Sequence, residues 1–246
     1  MDHATLVDAT RTEGAAIVAA LESEPAMDTP VPTCEHWAVS DLVVHLGAFC
    51  GFWTHILCEG TGRPRTPYPD PPEGDALIPW LAQLGLHLVG ELEATPATTE
   101  VWTWFAADRT AAFVARRCAH ELAVHRYDLQ STQGTRAPIP TALAVDGIDE
   151  ILGALVTTRD RTGQGTGRAL SLRCTDAPPA WSVVMESNRI DVERTDAGDG
   201  APAGDLTVTG RASDLELTLY HRPTLGPVDV SGDYSVLDEW HREFRF

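Results

Sequence analysis

The feature that most restricts this chain is a change of hydrophobic period roughly two-thirds of the way along it. Up to about Val156 apolar residues recur at three- and four-residue intervals, and beyond about Arg168 they alternate. The first spacing puts side chains on one face of an α-helix and the second on one face of a strand. The chain must therefore divide into a helical part and a part that contains a sheet. A first helix fits Thr5 to Glu24, with Leu6, Ala9, Ala16, Ile17, Ala20 and Leu21 on one stripe. A second fits Asp41 to about Glu59, with Ser40 as N-cap and Asp41 in the first turn, where an acid suits the helix dipole. A third fits Asp75 to Ala94 on Leu77, Trp80, Leu81, Leu84, Leu88 and Leu92. The fourth follows a short extended piece flanked by Trp102 and Trp104, and runs from Ala111 through Asp128 without Gly or Pro.

Pro25 to Trp37 and the Pro- and Gly-rich stretch from Gly60 to Glu73 separate these helices, and the second is long enough to serve as a lid. Four helices joined in this way predict an up-down four-helix bundle. Pro138 to about Val156 fits a fifth helix that packs on the bundle or bridges outward. After the polar, Gly-rich residues 157–168 come strand patterns at Leu170–Cys174, Trp181–Met185, Leu206–Thr209 and Val228–Val230. Asp196 to Ala203 fits a loop, and Ala212 to Tyr220 and Tyr234 to Phe244 fit short helices. The expected domains are thus 1–157, helical, and 168–246, a small α+β fold.

One part of the fourth helix gathers chemistry-bearing side chains: His120-Glu121-Leu122-Ala123-Val124-His125-Arg126-Tyr127-Asp128. Residues four apart lie about 40° apart around a helix, so Glu121 and His125 share a face and can share a divalent cation. His120 and His125 are five apart, about 140° around the axis, which excludes the His-Glu-x-x-His zinc-protease arrangement. A catalytic zinc takes three protein ligands and keeps an open position. The best third donor is His45, in Ser40-Asp41-Leu42-Val43-Val44-His45-Leu46-Gly47, flanked by apolar residues. Asp41, one turn before it, can hold its second ring nitrogen or act only as a first-turn acid. His87 ranks below His45 because no partner is evident. Plainer roles fit the same residues: His45 as a hydrogen-bonded core residue, Glu121 and His125 as a surface pair, Asp128 as a solvated helix-end acid. Against them stands the cost of burying unpartnered ionisable groups, which one cation would relieve for all three donors.

The formal net charge of −18 argues against nucleic acid and anionic membrane surfaces as partners. All 18 basic residues are Arg, so an anionic substrate would need a local cluster of them. The cysteines (34, 50, 58, 118 and 174) have no metal-ligand spacing and their number is odd, which fits a reducing, cytoplasmic setting. The N-terminal residues lack a basic region followed by an apolar run, and no uninterrupted apolar run reaches about 18 residues, so neither a signal peptide nor a membrane span is expected.

Four segments resemble the mycothiol-dependent maleylpyruvate isomerase family, whose first domain belongs to the wider DinB-like bundle superfamily. They are Val31-Pro32-Thr33-Cys34-Glu35-His36-Trp37, Asp41–Gly47, Glu121–Asp128, and Ala212–Leu217 continuing to His221-Arg222-Pro223. They cover most of the chain in the family's order. The family more often has Pro-Gly-Trp-Thr where this chain has Glu35-His36-Trp37-Ala38. The resemblance implies a DinB-like bundle followed by a small α+β domain, a zinc ion on His45, Glu121 and His125, and mycothiol as the thiol cofactor. It also makes Arg222, from the second domain, a candidate partner for an anionic substrate; Asp128, three residues beyond His125, is by its position a candidate for orienting a ligand or the cofactor. A cation of this kind lowers the pKa of a bound thiol, whose thiolate then attacks a small-molecule electrophile. Expulsion of the thiol would give cis–trans isomerisation, and its retention S-transfer. A His₂Glu donor set also accepts nickel or iron. Two other functions fit the same residues: a zinc-dependent hydrolase, and a non-catalytic metal- or metabolite-binding protein.

Overall fold

The computed structural model describes residues 1–23, 26–62, 70–158, 165–196 and 203–244. Its contacts divide the chain into two compact units, Met1–Ala137 and Pro138–Phe246.

The first unit contains α1 (His3–Glu22), α2 (Val39–Glu59), α3 (Leu77–Ala94, entered through a 3₁₀ turn at Gly74–Ala76) and α4 (Ala111–Gln133). The Asp2 carboxylate caps α1 by accepting from the Thr5 N–H at 2.8 Å, and the Thr110 hydroxyl caps α4 by accepting from the Phe113 N–H at 3.3 Å. These bonds satisfy helix-end donors that the ladder leaves open. Helix α1 packs on α3 and α4, and α2 packs on the same two. Leu6, Ile17, Leu21, Leu42, Leu46, Trp53, Ile56, Leu88, Leu92 and Phe113 are buried between them. Each such side chain contributes about 1.5–3 kcal/mol of hydrophobic stabilisation. The Trp80 indole lies where a Cβ on residue 47 would stand, so Gly47 is what lets α2 and α3 approach.

Helix α2 begins two residues earlier than the Ser40 cap predicts. Ala38 is its N-cap, and Asp41 reaches back to accept from the Ala38 N–H at 2.8 Å. Asp41 is thereby a helix-start acid. Among the described helices α2 is also long and apolar enough, by length and composition, to cross a membrane, although no uninterrupted apolar run shows it. Its apolar side chains Val39, Leu42, Val43, Leu46, Cys50, Trp53, Ile56 and Leu57 are buried within the unit.

Helix α4 is buried almost all the way round, and its polar residues Arg117, His120, His125, Arg126 and Asp128 are buried with it. Buried charge is tolerated only where it is paired. Arg126 donates from Nε to the buried Glu13 of α1, and from Nη1 to Gln130 at 2.7 Å and to the Ala137 carbonyl at 3.0 Å. A second buried network on α4 forms the candidate site.

The second unit starts with α5 (Thr141–Glu150), which runs on as one π-helical turn, Ile151–Leu155. Helix α5 packs on α6 (Ala212–Leu219), so contacts divide the chain earlier than the composition change at 157–168 suggests. Strands β1 (Arg168–Cys174), β2 (Ala180–Met185), β3 (Ile190–Thr195), β4 (Leu206–Gly210) and β5 (Asp229–Gly232) form one sheet in the order β3-β2-β1-β4-β5. Among the described strands, only β1 and β4 pair in parallel. Helix α7 (Ser235–Glu243) closes the described chain and buries Val236, Leu237 and Trp240. Strand β3 is absent from the sequence-based expectation. It is an edge strand, Ile-Asp-Val-Glu-Arg-Thr, with four of its six residues exposed, so burial leaves no clear apolar face to read. Half of the segment expected as a lid, residues 63–69 of Gly60 to Glu73, lies outside those described.

Candidate metal centre

Helices α2 and α4 bring His45, Glu121 and His125 together. His45 Nε2 lies 2.9 Å from Glu121 Oε1, and His125 Nε2 lies 3.4 Å from the same oxygen. One ligand atom from each residue lies within 4.8 Å of the other two. The other Glu121 oxygen, Oε2, accepts from Arg117 Nη2 at 2.7 Å, one helical turn earlier on α4. His125 uses its second ring nitrogen, Nδ1, on Asp128 Oδ2 at 2.9 Å. That carboxylate oxygen also accepts from the Cys34 thiol at 3.3 Å. Cys34, His125 and Asp128 form a second close group of donors, sharing His125 with the first.

Asp128 therefore differs from a solvated helix-end acid: its side chain is 0% exposed and is bonded to a candidate ligand. It fixes the ring of His125 and leaves Nε2 facing Glu121, the arrangement by which a carboxylate orients an imidazole for a metal. Cys34 comes from the turn between α1 and α2, held by Cys34 N–H to Val31 O at 3.1 Å and Trp37 N–H to Cys34 O at 3.0 Å. His36 sits in this turn at φ 69°, the left-handed region that favours glycine, at the position where the resembling family more often has Gly. The turn delivers the Trp37 ring to 4.9 Å from the His45 ring and 6.1 Å from the His125 ring, centroid to centroid. Phe49, one turn along α2, adds a tilted aromatic ring with its centroid 6.5 Å from that of His45.

The electrostatics follow from these contacts. Burial pushes the Glu121 carboxyl up, but the Arg117 guanidinium and the two imidazoles outweigh it and hold it well below the usual carboxylate range. Burial pulls His125 down, and hydrogen bonds to Asp128, Cys34 and Glu121 outweigh it, so its pKa stands well above the ordinary histidine value. Without a cation the centre is thus a carboxylate facing an imidazolium. The donor set suits a divalent ion: two imidazole nitrogens and one carboxylate oxygen, the His₂Glu composition of catalytic zinc sites. Zinc ligands at about 2.0–2.2 Å lie roughly 3.3 Å apart around a tetrahedron, close to the 2.9 and 3.4 Å seen here.

His87 is exposed on α3, and His120, fully buried, belongs to neither donor group. Arg222 lies in the second unit, mostly buried rather than on the surface; it donates from Nη1 to the Tyr220 carbonyl at 2.8 Å. There it lines a cavity of about 450 Å³ with His221, Tyr234 and His241 among others. Sequence reasoning did not single out Arg117, Cys34 or Trp37. Arg117 carries a readable signal, since an Arg four residues before Glu121 shares its helix face. Cys34 and Trp37 reach the centre through a turn whose path no periodicity reveals.

A family model described as the mycothiol maleylpyruvate isomerase N-terminal domain matches residues 7–130. Two crystal structures of a mycothiol-dependent maleylpyruvate isomerase, one of them a single-residue mutant, align with TM-scores of 0.58 and 0.59. Each is 20% identical and covers 94% of this chain and 93% of its own. That likeness establishes the fold: helices first, then a mixed sheet with helices. No curated protein sequence matches the chain.

Proposed function

The chain belongs to the mycothiol maleylpyruvate isomerase N-terminal domain family, and from that premise we propose that it is a metal-dependent, mycothiol-using isomerase of a small conjugated electrophile. We take the first unit to be an up-down, DinB-like four-helix bundle, with the cation site between its helices. His45 Nε2, Glu121 Oε1 and His125 Nε2 would hold the cation, zinc being the best match to the donors. The observation that carries this assignment is the convergence of the two imidazole nitrogens on one carboxylate oxygen, at 2.9 and 3.4 Å.

A bound cation would supply the Lewis acidity that makes a thiol acidic near neutral pH, and mycothiol the sulfur that adds reversibly to an activated double bond. The protein's own residues prepare the place. Arg117 keeps Glu121 ionised and engages one of its oxygens, leaving the other toward the histidines. Asp128 holds His125 by Nδ1, so that Nε2 is the nitrogen presented to a metal once the ring loses its proton. Trp37 and Phe49 wall the centre beside His45 with aromatic surface, which suits a planar conjugated substrate and keeps water from part of the site. Release of the thiol gives isomerisation, and S-transfer is the outcome if the sulfur is retained.

The test is turnover of a panel of cis-configured conjugated carboxylic acids followed by NMR, with and without mycothiol, alongside metal analysis of the native protein and Glu121→Ala. Isomerisation that needs both thiol and metal, lost together with the metal in Glu121→Ala, is the expected result. Undiminished metal content in Glu121→Ala removes Glu121 from the ligands, and turnover without any thiol removes the mycothiol assignment.

A further inference from the structure

The first unit contains a concavity of about 310 Å³, lined by all four helices. Its lining includes Gly14, Ala15 and Ile17 of α1, Cys50 of α2, Leu81, Ala82, Gly85, Leu86 and Val89 of α3, and Leu122 of α4. The cause is legible in the side chains. Close-packed helices leave few voids larger than a water molecule, yet here both α1 and α3 contribute glycine or alanine, and a Cβ on Gly85 would meet no heavy atom within 4 Å. Leu86 stands beside the opening with 72% of its surface exposed.

The chemistry of the lining sets the class of occupant. The polar groups at the cavity are engaged, uncharged or, in the case of Glu22 at the end of α1, exposed to water. The Thr10 hydroxyl donates to the Leu6 carbonyl at 2.9 Å. Arg11 is held by Asp8 at 2.8 Å and by Glu93. Burial, with Glu121 nearby, pushes the Cys50 thiol up to about 12, so it stays protonated and is no nucleophile. Nothing in the wall therefore pairs with an anionic guest, which the Glu22 carboxylate repels, and the otherwise apolar lining takes hydrocarbon-like molecules rather than ordered water. We propose that this cavity is a binding site for a small, uncharged, apolar molecule, entering between α1 and α3 and resting against Cys50 and Leu122. Because Leu122 follows Glu121 on α4, and Cys50 lies on the helix that carries His45, an occupant would touch both helices that bear the candidate metal donors.

The probe is the uncharged fluorophore N-phenyl-1-naphthylamine, titrated into the full-length protein, with Gly85→Leu and Ala82→Leu as cavity-filling variants. Gly85→Leu also raises helix propensity, so the fold is expected to survive it. Expected are saturable binding at one site, weakening by about tenfold or more in both variants, and unchanged circular dichroism. The sulfonated analogue 1-anilinonaphthalene-8-sulfonate should bind at least about tenfold more weakly. Absence of saturable binding overturns the proposal, as does undiminished binding in either folded variant, and equal affinity for the sulfonated probe overturns the uncharged class. None of these readouts depends on a metal, so the cavity and the metal centre stand or fall separately.

Discussion

Replacing Asp128 with Asn probes the centre at the point where its geometry and its charge can be told apart. Asp128 is fully buried and its Oδ2 accepts from both His125 Nδ1 at 2.9 Å and Cys34 at 3.3 Å. An amide oxygen can still accept from His125, but the charge is gone. A hydrogen bond to a charged group is worth about 1.5–3 kcal/mol and a neutral one about half that, so the metal-free variant should lose about 1–2 kcal/mol to urea. Two effects then act on metal affinity with opposite signs. Losing the carboxylate that orients and enriches a ligating imidazole costs about 10–100-fold in affinity. Losing it also lowers the raised pKa of His125, which lessens proton competition at low pH. At alkaline pH, where His125 is neutral in both proteins, the full deficit should appear in a zinc competition titration against a chromophoric chelator. Towards acid pH the native protein must still displace a proton that the variant has already released, and the gap should narrow. Equal affinities at alkaline pH, or a gap that widens on acidification, would refute this account of Asp128.

Other perturbations follow from the same contacts. Arg117→Gln strips Glu121 of its guanidinium; breaking a buried pair of this kind should cost about 3 kcal/mol of stability in urea. Glu121 titrates low in the native protein, so its contribution is present above the ordinary carboxyl value and lost as pH falls through its lowered pKa; in the variant, whose Glu121 is held down less, that loss should be smaller and complete at higher pH. His36→Gly relieves a left-handed residue at φ 69° and should add roughly 0.5–1 kcal/mol, the steric penalty less the extra freedom of glycine when unfolded. In the second unit, burial and the neighbouring His221 lower the pKa of His241 from 6.5 despite its 2.7 Å contact with the Thr218 carbonyl. The unfolded chain takes up that proton more readily, so stability should fall as pH drops through about 6.5, and His241→Gln should flatten that slope in thermal melts.

Much of the fold is legible because each helix buries its own apolar stripe: Leu77, Leu81, Leu88 and Leu92 of α3 are all in the core. The candidate metal donors are legible for a related reason, since Glu121 and His125 share a helix face by spacing alone and His45 is an ionisable residue in an apolar run. Three things resist the sequence. Edge strand β3 has too little burial to leave a pattern. The role of Asp128 depends on its being sealed from water, which Asp-rich helix ends in general are not. The placement of Cys34 and Trp37 depends on a turn passing through a left-handed His36, where glycine would have announced it. Asp41 shows the opposite case: it is the first-turn acid that the plain reading expects, accepting from the Ala38 N–H, although the cap lies at Ala38 and not at Ser40.

The most direct test of the central claim is spectroscopic. Apoprotein loaded with one equivalent of Co²⁺ in place of zinc should show a ligand-field spectrum of low coordination number, and adding mycothiol should bring up a sulfur-to-cobalt charge-transfer band. Both signals should be absent from Glu121→Ala. If the cobalt spectrum is indifferent to mycothiol, or survives intact in Glu121→Ala, then His45, Glu121 and His125 do not hold a cation that meets the thiol.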